Sequence, residues 1–370
     1  MRGFVDRMEL ENRCRLPGGI GVAPSREQSL ALIPGLLAEG EWESAVVLAF
    51  DGLGYDHAAA TLAPDRLTAL TTTFPSTSVT AWATVLTGAT VEEHGLAGVR
   101  FRAMEEDRLV DCFAEGPAPG ALGETVFERL SARGVRCSVN PGEMATWPAW
   151  WRSAVTRGAT PLPPFTDWEK IRYTPEAIVR AVVEEVEAGL ARRGPGRSLV
   201  WSWINVDDCV HRSGPSAELD EALRRIGRFA RRLAAEGHTV LALSDHGAVP
   251  SRCSPALAAG FAAVTGPGLC ALPPGGAGRV RWCYPRPGRA AEVAARLAGL
   301  LGPDALVVTP DELAGMGLLT MEGTMPRALG EVVCLAVGAG FPVPDPEVAF
   351  EHGSVTAQEM IVPLAAWEAS

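Results

Sequence analysis

The chain is predicted to be an α/β protein with a large, mostly parallel central sheet flanked by helices and a small inserted α+β cap. Short continuous apolar runs such as Ala45–Phe50 and Thr239–Ser244 stop at Gly-rich or polar turns, as strands of a buried parallel sheet do. Amphipathic helical stretches alternate with these runs along the 370 residues. Acidic and imidazole side chains collect just beyond the strand ends, the edge at which open α/β sheets carry their sites.

Ala45–Phe50 is followed by Asp51-Gly52-Leu53-Gly54, a strand running into a tight turn. The hydroxyl-rich stretch TTTFPSTSVT predicts the capped start of a helix passing through Trp82 and Leu86. Glu124–Ala132 reads as a helix that Gly134 ends, and Val135–Val139 as the next strand. After a strand over Ser198–Val206, Ser216–Glu236 places Leu219, Leu223, Ile226, Ala230 and Leu233 on one helical face. Arg224, Arg225, Arg228, Arg231 and Arg232 fall largely on the other, where a solvated face is the simpler reading than a phosphate site. Gly237 stops this helix before the strand Thr239–Ser244.

Two regions read as inserted. The catalytic core is expected over 1–250 and 326–370, with an insertion at about 101–164 that holds Trp147, Trp150 and Trp151. A cap over 251–325 contains a predicted helix from Arg289 to Leu301 and a strand Ala305–Thr309. The aromatic cluster, with Phe165, fits core packing better than nucleobase stacking.

Hydrophobic content of 47%, ten Trp, 40 Gly and 29 Pro describe a folded globular chain rich in tight loops. The net charge of −11, with its basic residues scattered, argues against binding nucleic-acid polymers. A small anionic substrate still fits, because bound metal reverses the local potential. The first thirty residues carry charges throughout, and no stretch approaches the ~20 uncharged residues of a membrane span, so no membrane partner and a cytoplasmic location are expected. The eight Cys form no CxxC pair and are expected to be reduced thiols. Basic residues are nearly all Arg, with Lys170 the single lysine. Oligomeric state is not legible.

Asp51, Asp207, His211, Asp245, His246 and His352 are the candidate metal ligands. Asp207 and His211 lie four apart in DDCVH, so one helical turn aims a carboxylate and an imidazole at a common point. Asp245 and His246 are adjacent, and both face one site only if the backbone turns, a freedom expected of Gly247. Mixed carboxylate and imidazole donors favour Zn²⁺, with Mn²⁺, Fe or Co²⁺ as competitors. His57, His94 and His238 are expected to be structural.

The stretches AFDGLGYD, FPSTSVTAWATVLTGATVEEHGLAG, DDCVHRSG, LSDHG and HGSVTAQEMIVPL, in this order between residues 46 and 364, resemble the alkaline phosphatase superfamily. The resemblance is strongest to the type I phosphodiesterase/nucleotide pyrophosphatase branch. It implies one ion among Asp51, Asp245, His246 and the nucleophile, and a second among Asp207, His211 and His352. It also implies a hydroxyl nucleophile nine residues before Thr87 of the Thr87-Gly88 turn. Counting back gives Ser78, which would also touch the first ion; Thr77 is the fallback.

The implied activity is a phosphodiesterase or nucleotide pyrophosphatase acting on a small phosphoester, a nucleotide among the candidates, through a phosphoseryl or phosphothreonyl intermediate at two divalent ions, zinc foremost. Diester-preferring relatives carry an Asn three residues after the nucleophile, where this chain has Ala81. Phosphomonoesterase or phosphonoacetate-type hydrolase is therefore the alternative, for which Arg100, Arg102 and Arg212 are candidate clamps. A non-catalytic metal-binding relative is the second alternative. A sulfatase is rejected, since Cys253-Ser254-Pro255-Ala256-Leu257 lacks the required Arg and lies downstream of Asp245-His246.

Overall fold

The computed structural model describes residues 3–103, 106–116, 122–163 and 174–368. Phe165 and Lys170 lie outside them. Seven strands form the central sheet, in the order Arg66–Thr71, Ile361–Trp367, Thr239–Ser244, Ser44–Asp51, Ser198–Asn205, Arg136–Asn140 and Thr160–Pro161. Ser44–Asp51 pairs in parallel with both of its neighbours, and Ile361–Trp367 runs antiparallel to both of its own. The mostly parallel sheet read from the sequence is the observed one.

Every residue of Ser44–Asp51 after the first is buried, because helices cover both faces and leave no polar side to alternate with. Val46, Leu48 and Phe50 pack with Leu219, Leu223 and Ile226 of the helix Ala217–Ala235. Val47 and Ala49 join the other core, with Trp82 and Trp201. The arginines of Ala217–Ala235 are exposed and tied to acids, Arg225 to Glu176, Arg228 to Glu221, Arg231 to Asp65 and Arg232 to Glu187. They form the solvated face that the sequence indicated.

A six-stranded sheet stands beside the first, ordered Ala305–Val308, Val332–Ala336, Val280–Pro285, Cys270–Ala277, Arg100–Arg102 and Leu109–Asp111. Its strands are antiparallel, with Pro255–Thr265 and Ala290–Leu301 packed on one face. Three of the six strands come from outside 251–325. Trp151 is wholly buried and packs against Trp147 and Trp150, while the Trp150 indole donates to Cys112 O. No described helix is long and apolar enough to cross a membrane, and all eight cysteines are free thiols.

Candidate active site

Three neighbouring strands of the central sheet deliver the three candidate aspartates to one edge. Asp51 closes Ser44–Asp51, Asp245 follows Thr239–Ser244, and Asp207 opens the helix Asp207–Ser213 just past Ser198–Asn205. The turn after Asp51 is left-handed at Gly52, with φ 84°, and a Cβ there would sit 2.6 Å from Asp207 Cβ. Glycine lets these two strand ends close on each other. A short ribbon pairs Glu351 with Val249, bringing the His352 loop beside Asp245 and His246.

Ser78 is the first residue of the helix Ser78–Thr87, with Thr77 as its N-cap. Ser78 Oγ lies 3.2 Å from His246 Nε2 and 3.4 Å from Asp51 Oδ1. The Thr77 side chain makes no capping bond. The indole of Trp82, one turn on, points at Asp51 Oδ2 from 3.5 Å.

Of the two predicted ligand sets, Asp51, Asp245 and His246 converge as one group. In the other, Asp207 Oδ2 is 2.8 Å from His211 Nε2 and 3.6 Å from His352 Nε2. The sets touch, since the His246 and His352 rings stack with centroids 3.5 Å apart. Glu351, absent from the sequence reading, stands with His211 and His352, its Oε1 3.6 Å from His352 Nε2. Its only signal was an acid next to His352 in FEHG.

Local hydrogen bonds fix which atom of each residue is offered. Asp245 Oδ1 accepts from Gly52 N at 3.0 Å and His246 N at 2.9 Å, leaving Oδ2 buried without a hydrogen-bond partner. Asp207 Oδ1 is likewise buried and unpartnered. Each imidazole contacts a backbone carbonyl through Nδ1: His211 reaches Phe350 O at 2.7 Å, His352 reaches Ser76 O at 2.8 Å and His246 reaches Gly247 O at 3.1 Å. Donation to a carbonyl places hydrogen on Nδ1 and turns Nε2 toward the carboxylates. Asp207 Oδ2 facing two Nε2 atoms, and Asp245 Oδ2 standing 3.3 Å from the Nε2 of His246, fit a pair of divalent cations.

The electrostatics show how much positive charge this edge attracts. Burial opposes charge on His211, yet Asp207 and then Glu351 outweigh it and push its pKa up to about 10. Burial acts against the Asp207 carboxylate too, and His211 and His352 nevertheless hold it well below the usual range. Asp245 is pushed up to about 7, chiefly by burial. Burial and the neighbouring His352 drive His246 well down.

Gly247 serves the site for a different reason from the one expected. Its φ is not in the left-handed region, but a Cβ would lie 2.0 Å from Gln358 O and 3.0 Å from Gly54 Cα. Close backbone approach requires the glycine. His57, His94 and His238 sit away from the site, bonded to Asp220, Thr84 and Ser44. The clamp candidates Arg100, Arg102 and Arg212 are engaged by Asp111, Asp107 and Asp208.

The family model for type I phosphodiesterase/nucleotide pyrophosphatase matches residues 61–300. No curated protein matches the chain. Among solved structures, murine ectonucleotide pyrophosphatase/phosphodiesterase 5 is 16% identical with TM-score 0.61, each chain covered over 88%. An inactive form of that murine protein in complex with AMP superposes at 0.62, with 16% identity and 89% of each chain covered. Phosphonoacetate hydrolase from Sinorhizobium meliloti, in complex with phosphonoacetate, is 16% identical with TM-score 0.58, over 87% of this chain and 89% of its own. The chain belongs to the type I phosphodiesterase/nucleotide pyrophosphatase family of phosphoric ester hydrolases.

Proposed function

We propose that the chain hydrolyses a small phosphodiester or nucleotide pyrophosphate through a phosphoseryl intermediate on Ser78. The observation that carries this reading is the Ser78 hydroxyl within 3.4 Å of both Asp51 and His246, beside carboxylate oxygens that lack a hydrogen-bond partner. Asp51, Asp245 and His246 would hold one divalent ion with Ser78, and Asp207, His211 and His352 the other, with Glu351 at its margin. Bound there, the ions supply charge that favours the Ser78 alkoxide and offsets the phosphoryl group. Imidazole and carboxylate donors without a thiolate put zinc first, ahead of manganese, iron and cobalt.

Ser78 Oγ forms the new bond to phosphorus while the bond to the leaving alcohol or nucleotide breaks, and water later cleaves the phosphoseryl ester. Free N–H groups in the first turn of Ser78–Thr87 point to where phosphoryl oxygens would lie. Ala81, buried one turn on, contributes no donor.

Charge favours a diester. Two divalent ions against Asp51, Asp207 and Asp245 leave about one positive unit, and the Glu351 carboxylate removes it. A monoanionic diester suits that balance better than a dianionic monoester, and the nearby arginines are already paired. The AMP complex of the murine structure supports a nucleotide as one half of the substrate. Hydrolysis of bis-p-nitrophenyl phosphate against p-nitrophenyl phosphate, with and without zinc, tests the proposal. Zinc-dependent preference for the diester is expected. Preference for the monoester would sink the diester assignment, and inactivity toward both and toward nucleotide substrates would leave a metal-binding protein.

A further inference from the structure

The six-stranded sheet carries a cation that the chain does not answer. Arg281 lies on Val280–Pro285, opposite Gly276 on one neighbouring strand and Cys334 on the other. Its Nε is buried with no hydrogen-bond partner, and among the described residues no carboxylate pairs with its guanidinium. The nearest aromatic face is Phe261, 5.7 Å from Cζ. Arg281 is half-buried, and a partly desolvated cation without a counter-charge carries an unmet demand for an anionic partner.

The surroundings do not supply the missing charge. Burial lowers the Arg281 pKa, and a guanidinium stays protonated regardless. Cys334 and burial push the Cys283 thiol well up, so it remains neutral. Glu351, whose charge reaches Arg281, is grouped with His211 and His352. Arg281 instead lines a cavity of about 420 Å³ between the sheet, the helix Pro255–Thr265 and the loop at Pro342–Pro344. Its walls are Phe261, Leu272, Pro273, Pro274 and Val343, and among the described residues no acidic side chain lines it. That volume lies within the ~300–1,000 Å³ typical of small-molecule sites.

We propose that this cavity binds a small carboxylate with an apolar body, its carboxylate paired to the Arg281 guanidinium and its body seated on Phe261 and the proline walls. One planar guanidinium matches one carboxylate in bidentate geometry. A phosphate dianion is the poorer match, because the carbonyl end of Pro255–Thr265 borders the cavity and opposes a second negative charge. The cavity shares no lining residue with the Ser78 centre, so its ligand is not the substrate.

The test is titration of 4-fluorobenzoate into the full chain, both chelator-treated and zinc-loaded, followed by fluorine NMR. 4-Fluorobenzamide and inorganic phosphate serve as the neutral and dianionic comparisons. Saturable one-to-one binding of the benzoate is expected with or without zinc, weakened by roughly ten-fold or more in Arg281→Met and by less in Arg281→Lys. Without ligand, Arg281→Met should melt at or above the native temperature, since an unanswered cation has been removed. Equal binding of the amide, preference for phosphate, binding that survives Arg281→Met, or no benzoate binding would each overturn the proposal. A much lower melting temperature for Arg281→Met would do so too, by giving the guanidinium a structural role.

Discussion

Arg279 donates from Nε to Glu359 Oε1 over 3.0 Å, and both side chains are sealed from solvent. The pair joins the two histidine loops of the site. Glu359 Oε1 also accepts Ser354 N, Oε2 accepts Thr356 N and Oγ1, and the Glu359 carbonyl accepts Gly247 N. Arg279 N donates to His352 O at 2.8 Å. His246 and His352 are thus held by one buried ion pair that belongs to neither loop alone.

Glu359→Ala leaves the Arg279 charge buried and is expected to cost about 3–5 kcal/mol. In an Arg279→Met background the same change should cost much less, because the second mutation then strands no charge. Urea unfolding of the four chains measures both. Equal costs in the two backgrounds would show that the pair does not act as a unit.

Ser78→Ala should lower turnover by about 10³-fold or more, with zinc uptake retained. Thr77→Ala should stay within about 3-fold of the native rate, since the N-cap hydroxyl faces none of the six ligands through a hydrogen bond. Trapping the phosphoenzyme from labelled substrate distinguishes the two hydroxyls. Label on the Ser78→Ala chain would move the nucleophile to Thr77.

Gly247→Ala is expected to destabilise the chain by about 1–3 kcal/mol and to slow turnover, because its Cβ would meet Gln358 O at 2.0 Å. Unfolding midpoint and kcat are the readouts. A variant unchanged in both would mean that the Gln358 segment yields freely.

His94 sets an acid limit on stability. Its ring is buried, Nδ1 accepts from Leu96 N at 3.1 Å, and burial lowers its pKa to about 4. The unfolded chain, with an ordinary imidazole near 6.5, binds the proton first as pH falls. His94 therefore contributes fully above about pH 6.5, and that contribution, about 3 kcal/mol, drains away between about 6.5 and 4. His94→Gln should flatten this part of the stability profile. A slope identical to that of the native chain would assign the acid sensitivity elsewhere.

The strands were legible because their faces are largely buried, so Ala45–Phe50 shows as an unbroken apolar run and Thr239–Ser244 as a mostly apolar one, and their ends locate Asp51 and Asp245. Ser78 was reached only through the family resemblance, which sets the nucleophile nine residues before Thr87. What escaped was long-range. Nothing near Arg279 in sequence announces Glu359, eighty residues on, and Glu351 enters the site only because a two-residue ribbon folds it against Val249. Gly247 was recognised as necessary, but as a source of backbone freedom; the crowding by Gln358 that requires it exists only in the folded chain. The sequence was read as two separate insertions, about 101–164 and 251–325; the six-stranded sheet joins strands from both ranges with Val332–Ala336, a pairing that no local pattern announces.

Calorimetric titration of zinc into the chelator-stripped chain, followed by elemental analysis, examines whether these clustered side chains are a two-ion centre. Two ions per chain, falling to about one in Asp245→Asn and in His211→Ala, with diester hydrolysis rising in step with occupancy, is the expected result. A stripped chain that hydrolyses diesters at the full rate, or that takes up no zinc, manganese, iron or cobalt, would contradict it.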